Sequence, residues 1–152
     1  MAETIGRLVG AWLSKARHDI ETARRMVDHA EPITDTAVYP CQQAAEKALK
    51  AVLIKRGEAV FKTHDLVALL TKCANSDQAF TRWVEVAATL TPYATAFRYP
   101  SDDPEPPLAD AQDAIRMARE LLEFVEGKLL TEDQPTRGAE DKGSDKNGDD
   151  SC

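Results

Sequence analysis

Apolar positions recur every three or four residues along most of the chain, with polar residues between them. This spacing is typical of amphipathic helices, whereas the side chains of a half-buried strand alternate at every second position. The pattern predicts long helices at residues 7–30, 36–56 and 108–130, shorter ones at 63–73 and 78–90, and one further turn at 92–97. We therefore expect an all-α fold, an up-and-down helical bundle of about five helices.

Residues that start and stop helices stand between these segments. The stretch "EPITD" separates the first two helices, and Thr34 or Asp35 can cap the second one. Gly57 is expected to end the second helix, and Thr63 to cap the third. The stretch "RYPSDDPEPP" at 98–107 contains four prolines, which fix φ and remove hydrogen-bond donors, so it predicts irregular structure before the last helix.

Composition changes sharply near residue 131. The last 22 residues hold seven acidic and three basic side chains, so they carry −4 of the net charge of −7. They contain almost no large apolar side chain, and such a segment buries too little surface to offset the entropy lost on ordering. We predict one helical domain at 1–130 and an acidic disordered tail at 131–152.

Composition and charge also exclude several classes of protein. No apolar run has the length of a membrane span, and the N-terminal residues do not form a signal-peptide core. Cys41, Cys73 and Cys152 are far apart and suggest no zinc site, so a reducing cytoplasm is the simplest setting. A body with a net charge near −3 does not resemble a strongly basic nucleic-acid binder. No cofactor or metal is predicted.

The second helix has a polar line as well as an apolar seam. With each residue turning the helix by about 100°, Tyr39, Gln43, Glu46 and Lys50 fall on one face, and Lys47 lies at its edge. One interpretation is a solvated surface with a Glu46–Lys50 pair at i,i+4. The other is the wall of a site, because tyrosine and glutamine are not the usual residues of a purely solvated face. On these angles Lys50 lies opposite the seam and should contribute little to stability.

The segment "KTHDL" follows after a short connection and places His64 and Asp65 at a helix start. Backbone N–H groups and the positive end of the helix dipole suit an anion there. The alternative is that both residues simply help to cap the helix.

Three segments taken in order resemble one known family. The helix "YPCQQAAEKALKAVLIKRG", the segment "THDL" and the segment "RYP" before the last helix are similar to motifs of the HEPN domain family, over roughly residues 10–128. The resemblance implies a helical bundle that usually dimerises, with a polar groove at or near the dimer interface. It carries over a set of candidate ligand-binding residues, namely Gln43, Glu46, Lys47, Lys50, His64, Asp65, Arg98 and Tyr99. Tyr39 joins them from its place on the polar line.

The family divides into two functional groups, and this chain departs from one of them. As the resemblance implies, some members of the family are metal-independent ribonucleases, often toxins, with an R-x4-6-H motif near the start of a late helix. Others lack the motif and are associated with nucleotide binding, often beside a small nucleotidyltransferase. Here Arg98 is present but no histidine follows it, and the R-x4-H string at Arg24–His29 lies on the first helix, the wrong element.

Three functions therefore stay open. The leading hypothesis is a nucleotide- or phosphate-binding homodimer, possibly one component of a HEPN/nucleotidyltransferase (toxin–antitoxin-like) pair. The alternative is a ribonuclease toxin with a degenerate site, in which Arg98 and His64 are the catalytic candidates. The third is a structural partner that docks a nucleotidyltransferase. RNA is less favoured as a ligand, and no membrane partner is expected.

Overall fold

Five α-helices and two short 3₁₀ segments make up the computed structural model, which describes residues 2–133. The elements run in chain order as α1 (Ala2–Val27), α2 (Thr34–Lys55), α3 (Leu66–Ser76), a 3₁₀ segment (Gln78–Trp83), α4 (Val84–Leu90), a second 3₁₀ segment (Thr91–Ala94) and α5 (Leu108–Asp133). No strand is found among these residues. The predicted all-α bundle of about five helices is confirmed.

Helix α2 forms the centre of the bundle. It packs along α1 and α5, while α3, α4 and the Thr91–Ala94 turn cover its other side. Fifteen of its 22 residues are buried, so it lacks the solvent-facing stripe of an ordinary surface helix. Small alanines at 44, 45, 48 and 51 let the neighbouring helices approach closely, and all four are completely buried.

Two predicted N-caps are corrected by the structure. The N-cap of α2 is Ile33, which has no side-chain cap, and Thr34 is the first helical residue; Ile33 donates its backbone N–H to Met26 instead. The N-cap of α3 is Asp65 rather than Thr63. In both cases the chain enters the helix from an extended residue one or two positions away from the predicted cap.

The predicted helix at 78–90 is divided into two parts. Residues Gln78–Trp83 form a 3₁₀ segment, and only Val84–Leu90 are α-helical. In a 3₁₀ helix residues three apart are eclipsed, so Phe80 and Trp83 project from the same side. Both rings reach Phe124 of α5, with centroid distances of 5.1 and 5.3 Å. Burial of two large rings against one partner therefore accounts for the tighter winding.

The ends of the long helices also differ from the prediction. Helix α1 begins at Ala2 and ends at Val27, whereas the pattern indicated 7–30. Helix α5 continues to Asp133, three residues into the segment predicted to be a disordered tail. The rest of that predicted tail, residues 134–152, lies outside the described residues. The proline-rich stretch before α5 is irregular, as predicted.

Candidate functional site

A buried carboxylate on α2 is the centre of the candidate site. Glu46 is only 5% exposed, and both of its oxygens have partners. Its Oε2 lies 3.2 Å from Nζ of Lys50, one turn later on the same helix. Its Oε1 lies 2.7 Å from Nδ1 of His64, which precedes α3. A carboxylate at this depth needs such partners, since burying an unpaired charge is costly.

Two glutamines extend this network along α2. Gln42 is completely buried and donates from Nε2 to the backbone oxygen of His64 at 3.0 Å, and to Oε1 of Glu46 at 3.4 Å. Gln43 donates from its own Nε2 to Oε1 of Gln42 at 2.8 Å. The side chain of Gln42 thus ties the chain before α3 to the central helix, and Glu46 fixes the imidazole that this chain carries.

Asp65, the residue after His64, caps the start of α3. Its Oδ1 accepts hydrogen bonds from the backbone N–H groups of Val67 and Ala68, which satisfies the first turn of α3. Asp65 is therefore occupied as a cap, the structural alternative considered for it. The His64 side chain itself is 68% exposed although its Nδ1 reaches a buried carboxylate.

This geometry determines how the imidazole can act. A carboxylate only accepts hydrogen bonds, so Nδ1 of His64 carries the proton that Glu46 receives. The ring's other nitrogen, Nε2, is then an acceptor when the ring is neutral and a donor when the ring is protonated. The same ring can thus accept a proton from a ligand or donate a hydrogen bond to an anion.

A second cluster lies nearer the start of α2. The guanidinium carbon of Arg98 stands 4.1 Å from the centroid of the Tyr39 ring, and Nη1 of Arg98 donates to the backbone oxygen of Ala94. The preceding residue, Phe97, has φ of 65°, a left-handed conformation that a bulky side chain rarely adopts. This strained residue turns the chain so that Arg98 stacks on the aromatic face, a favourable cation–π arrangement.

The two clusters are separated along the helix axis. Tyr39 and Glu46 are seven residues apart, which corresponds to about 10 Å at 1.5 Å per residue. Gln43 lies between them. Arg98, in its position over Tyr39, and His64, in its position beside Glu46, therefore mark opposite ends of one face of α2.

Other predicted site residues are placed elsewhere or differ from expectation. Lys47 forms an ion pair with Asp19 of α1, away from the His64 side, and lines a different cleft. Tyr99 is 76% exposed and borders a cleft of about 270 Å³ together with Asp35. Lys50 is only 8% exposed, so it does not lie on an outward face of α2, and its burial argues against the prediction that it contributes little to stability. Its ammonium is held by Glu46 because α2 is enclosed on nearly every side.

The arginine and the histidine of the R-x4-H string on α1 each contact other residues. Arg24 pairs with Glu21 at 2.6 Å and with Asp28 at 3.1 Å. His29 accepts a hydrogen bond at Nδ1 from the backbone N–H of Glu31 just after the helix. These contacts stabilise the end of α1, and none of them joins Arg24 to His29.

Sequence reasoning missed two residues that support the site. Asp19 of α1 holds Lys47, and Thr91 accepts the backbone N–H of Leu66 at its hydroxyl, which fixes the start of α3. In both pairs the partners are more than twenty residues apart in the chain, so no local pattern could have indicated them.

Comparison with known proteins decides the family. The model of the HEPN domain matches residues 9–128, most of the chain. The chain belongs to the HEPN domain family. This confirms the resemblance seen in the three sequence segments. No curated protein matches significantly.

Two solved structures are similar to this HEPN chain over most of their length. TT1696 from Thermus thermophilus is 30% identical, with a TM-score of 0.68, covering 79% of this chain and 97% of its own. ST0689, described as an archaeal HEPN homologue, is 28% identical, with a TM-score of 0.63, covering 80% and 97%. The fold and the extent of the HEPN domain in this chain are thus shared with both.

Three observations limit the chemistry of this HEPN domain within residues 2–133. Burial raises the pKa of the Cys41 and Cys73 thiols to about 12, so neither is suited to be a nucleophile. No group of three or more histidine, cysteine, aspartate or glutamate side chains is arranged to hold a metal ion in this part of the chain. None of its helices has both the length and the apolar character needed to cross a membrane.

Proposed function

We propose that this HEPN domain binds a nucleotide or another phosphate-containing ligand along the face of α2 between His64 and Arg98, and that it acts as a homodimer. The observation that carries the proposal is the contact between buried Glu46 and exposed His64. A buried carboxylate that orients an exposed imidazole is a costly arrangement, and it presents one ring nitrogen to solvent.

The electrostatics of the two clusters support a ligand that carries phosphate, because each end of the face offers a cationic donor. Lys50 neutralises Glu46, so a protonated His64 adds one positive charge and an Nε2–H donor at this end of the face. At the other end the Arg98 guanidinium can donate to a phosphate by two parallel hydrogen bonds. The Tyr39 ring beneath it and the exposed Tyr99 offer aromatic surfaces for a base.

Binding can be measured with matched variants. Isothermal titration with ATP, GTP and pyrophosphate is compared for the parent, His64→Ala and Arg98→Ala. A hydrogen bond to a charged group contributes about 1.5–3 kcal/mol, so each variant should weaken binding about tenfold or more. His18→Ala and Arg116→Ala remove exposed side chains of the same types from α1 and α5 and should leave affinity unchanged. A parent with no measurable binding at millimolar ligand would overturn the proposal.

The proposal also includes a nucleotidyltransferase as a protein partner of this domain. Its support is membership of the HEPN family, in which proteins without the R-x4-6-H motif are associated with such partners. Co-expression with a candidate nucleotidyltransferase followed by affinity capture tests it. A defined complex that survives gel filtration supports pairing, and complete separation of the two proteins contradicts it for that candidate.

One observation favours the ribonuclease as a second candidate function. Neutral His64, with Nδ1–H held by Glu46, has the orientation of a general base. Against this, Tyr39, on which Arg98 stacks, lies about 10 Å along α2 from Glu46, which holds His64. This spacing separates Arg98 from a phosphate whose neighbouring 2′-hydroxyl His64 would deprotonate for attack. Cleavage of single-stranded RNA in a chelator is the discriminating assay. Activity that is lost in both His64→Ala and Arg98→Ala would establish the enzyme.

A further inference from the structure

A cleft of about 700 Å³ lies where the last turns of α1 meet the connection to α2. Its volume is within the range of about 300–1,000 Å³ that is usual for small-molecule sites. The backbone N–H of Ile33 donates to the carbonyl oxygen of Met26 at 3.0 Å, which holds the connection against α1. None of the described residues that line the cleft belongs to the candidate ligand face of α2 between His64 and Arg98, so the cleft is a separate feature of the surface.

One face of α1 forms the first wall of the cleft. The four residues of α1 that line it are Thr22, Arg25, Met26 and His29. The last three stand three, four and seven positions after the first, so all four fall within about 100° of one another around the helix axis. The neighbouring Arg24 is turned by about 100° from Arg25 and pairs with Glu21 and Asp28 instead.

Two hydrogen-bond donors stand one turn apart on this wall. Nδ1 of His29 accepts the backbone N–H of Glu31 at 3.0 Å, so in the neutral ring Nε2 carries the proton and is the donor available to a ligand. Arg25 donates from Nε to Glu21, and its guanidinium has further N–H donors at the two terminal nitrogens. Because residues four apart are neighbours on a helix, one carboxylate can accept hydrogen bonds from Arg25 and His29 together.

The other wall of the cleft is apolar. Pro32 and Ile33 line it from the connection, and Met26 adds a third apolar side chain from α1. Ile33 is 53% exposed and occupies the N-cap of α2 with an extended backbone. Serine, threonine, aspartate and asparagine are the residues that stabilise this position. An exposed isoleucine leaves the helix without a side-chain cap, and an apolar ligand explains it better than folding does.

The charges of the cleft restrict the class of ligand. Arg25 and Glu31 carry the permanent charges among the described lining residues, one of each sign. A ligand with a single negative charge would gain from Arg25 but would meet the carboxylate of Glu31. A zwitterion can place a carboxylate beside Arg25 and an ammonium beside Glu31. A free α-amino acid carries both charges at neutral pH, and an apolar side chain matches the wall that includes Ile33.

We propose that the cleft between the end of α1 and the connection to α2 binds a free α-amino acid with an apolar side chain. The carboxylate of the ligand accepts hydrogen bonds from Arg25 and His29, its ammonium pairs with Glu31, and its side chain packs on Ile33. This site is additional to the proposed nucleotide or phosphate site, and neither site depends on the other.

NMR titration of the isotope-labelled full chain with L-leucine tests the proposal. Backbone amide signals within residues 22–33 should shift, and those of Glu46 and His64 should not. Isocaproate is leucine without its ammonium, and isoamylamine is leucine without its carboxylate. Each should bind about tenfold or more weakly than leucine, since each lacks one hydrogen-bonded charge. A parent that binds no leucine at millimolar concentration would overturn the proposal. Isocaproate that binds as tightly as leucine would overturn the amino acid as the ligand.

Variants test the two walls separately. Arg25→Gln should weaken leucine binding about tenfold or more, because a hydrogen bond to a charged group is lost. Arg24→Gln is the matched control, since it removes the neighbouring arginine from another face of the same helix, and it should bind leucine like the parent. Ile33→Ser supplies a favoured N-cap side chain, so it should raise Tm while it lowers the affinity for leucine. Leucine binding that Arg25→Gln and Ile33→Ser both leave intact would overturn the assignment to this cleft.

Discussion

The pair formed by Glu46 and Lys50 should behave as part of the core. The two side chains are 7% and 10% exposed. We consider Glu46→Leu, which removes the carboxylate and leaves the ammonium of Lys50 beside apolar neighbours. Breaking a buried pair from one side costs about 3–5 kcal/mol, because the remaining charge is uncompensated. The lower end applies here, since a lysine can turn its ammonium toward solvent.

The lost contact to His64 adds little to this figure. The imidazole is 68% exposed, so solvent replaces much of the interaction. We therefore expect Glu46→Leu to lower the free energy of unfolding by about 3 kcal/mol, which for a domain of this size lowers Tm by about 10 °C. Lys50→Met should cost less, about 1–2 kcal/mol, because Glu46 keeps His64 and Gln42 as partners.

Urea unfolding followed by circular dichroism measures all four members of a double-mutant cycle. The Glu46→Leu/Lys50→Met variant should be more stable than the sum of the single effects indicates, by about 1 kcal/mol or more, since no unpaired charge remains. Two results would refute the reasoning. One is a Glu46→Leu variant within about 0.5 kcal/mol of the parent, the range of ordinary surface substitutions. The other is strict additivity in the cycle.

Two further predictions follow from shifted pKa values. Because burial raises the pKa of Cys41 and Cys73 to about 12, a Cys152→Ser variant should react with Ellman's reagent at pH 8 only after unfolding; fast labelling of the folded protein would contradict this. The hydrogen bond from Lys128, followed by that from the backbone N–H of Ala79, lowers the pKa of Asp77. The stabilising effect of the Asp77 carboxylate is therefore present above about pH 4, the ordinary pKa of an aspartate, and is lost as the pH falls further. The stability difference between the parent and Asp77→Asn should therefore shrink between about pH 6 and about pH 2.5 in urea titrations, and a constant difference would disprove the assignment.

Much of the fold could be predicted because each long helix carries its own apolar stripe. In α1 the stripe that includes Leu13, Ala16 and Ala23 is the buried face in the structure. The exact ends were less predictable. Helix α1 starts five residues earlier than predicted, because residues 2–8 continue the helix without a buried face of their own.

The polar line on α2 shows where periodicity stops being informative. A helical wheel gives the angle between Lys50 and the seam, but it does not give the number of neighbours that surround the helix. Polar side chains that pair with each other, as Glu46 and Lys50 do, can be buried while they keep the same angular positions around the helix.

The sequence could predict which residues belong to the candidate site but not how they are arranged. Glu46 and His64 meet because the connection between α2 and α3 folds back, and Arg98 reaches Tyr39 because Phe97 adopts a left-handed conformation. Both contacts depend on tertiary structure. The separation of the two clusters along α2, which bears on the choice between binding and cleavage, was not available from the sequence.

The enclosure of α2 also has an evolutionary consequence. Glu46, Gln42 and Lys50 are buried, so a substitution at any of them acts on folding before it acts on a ligand. Selection for a folded protein alone would keep these residues, even in a lineage that had lost the ligand. His64 and Arg98 are different, because their side chains are exposed and can be replaced at little cost to the fold. Among descendants of this protein, the identity of these two residues is the informative record of whether binding is still under selection.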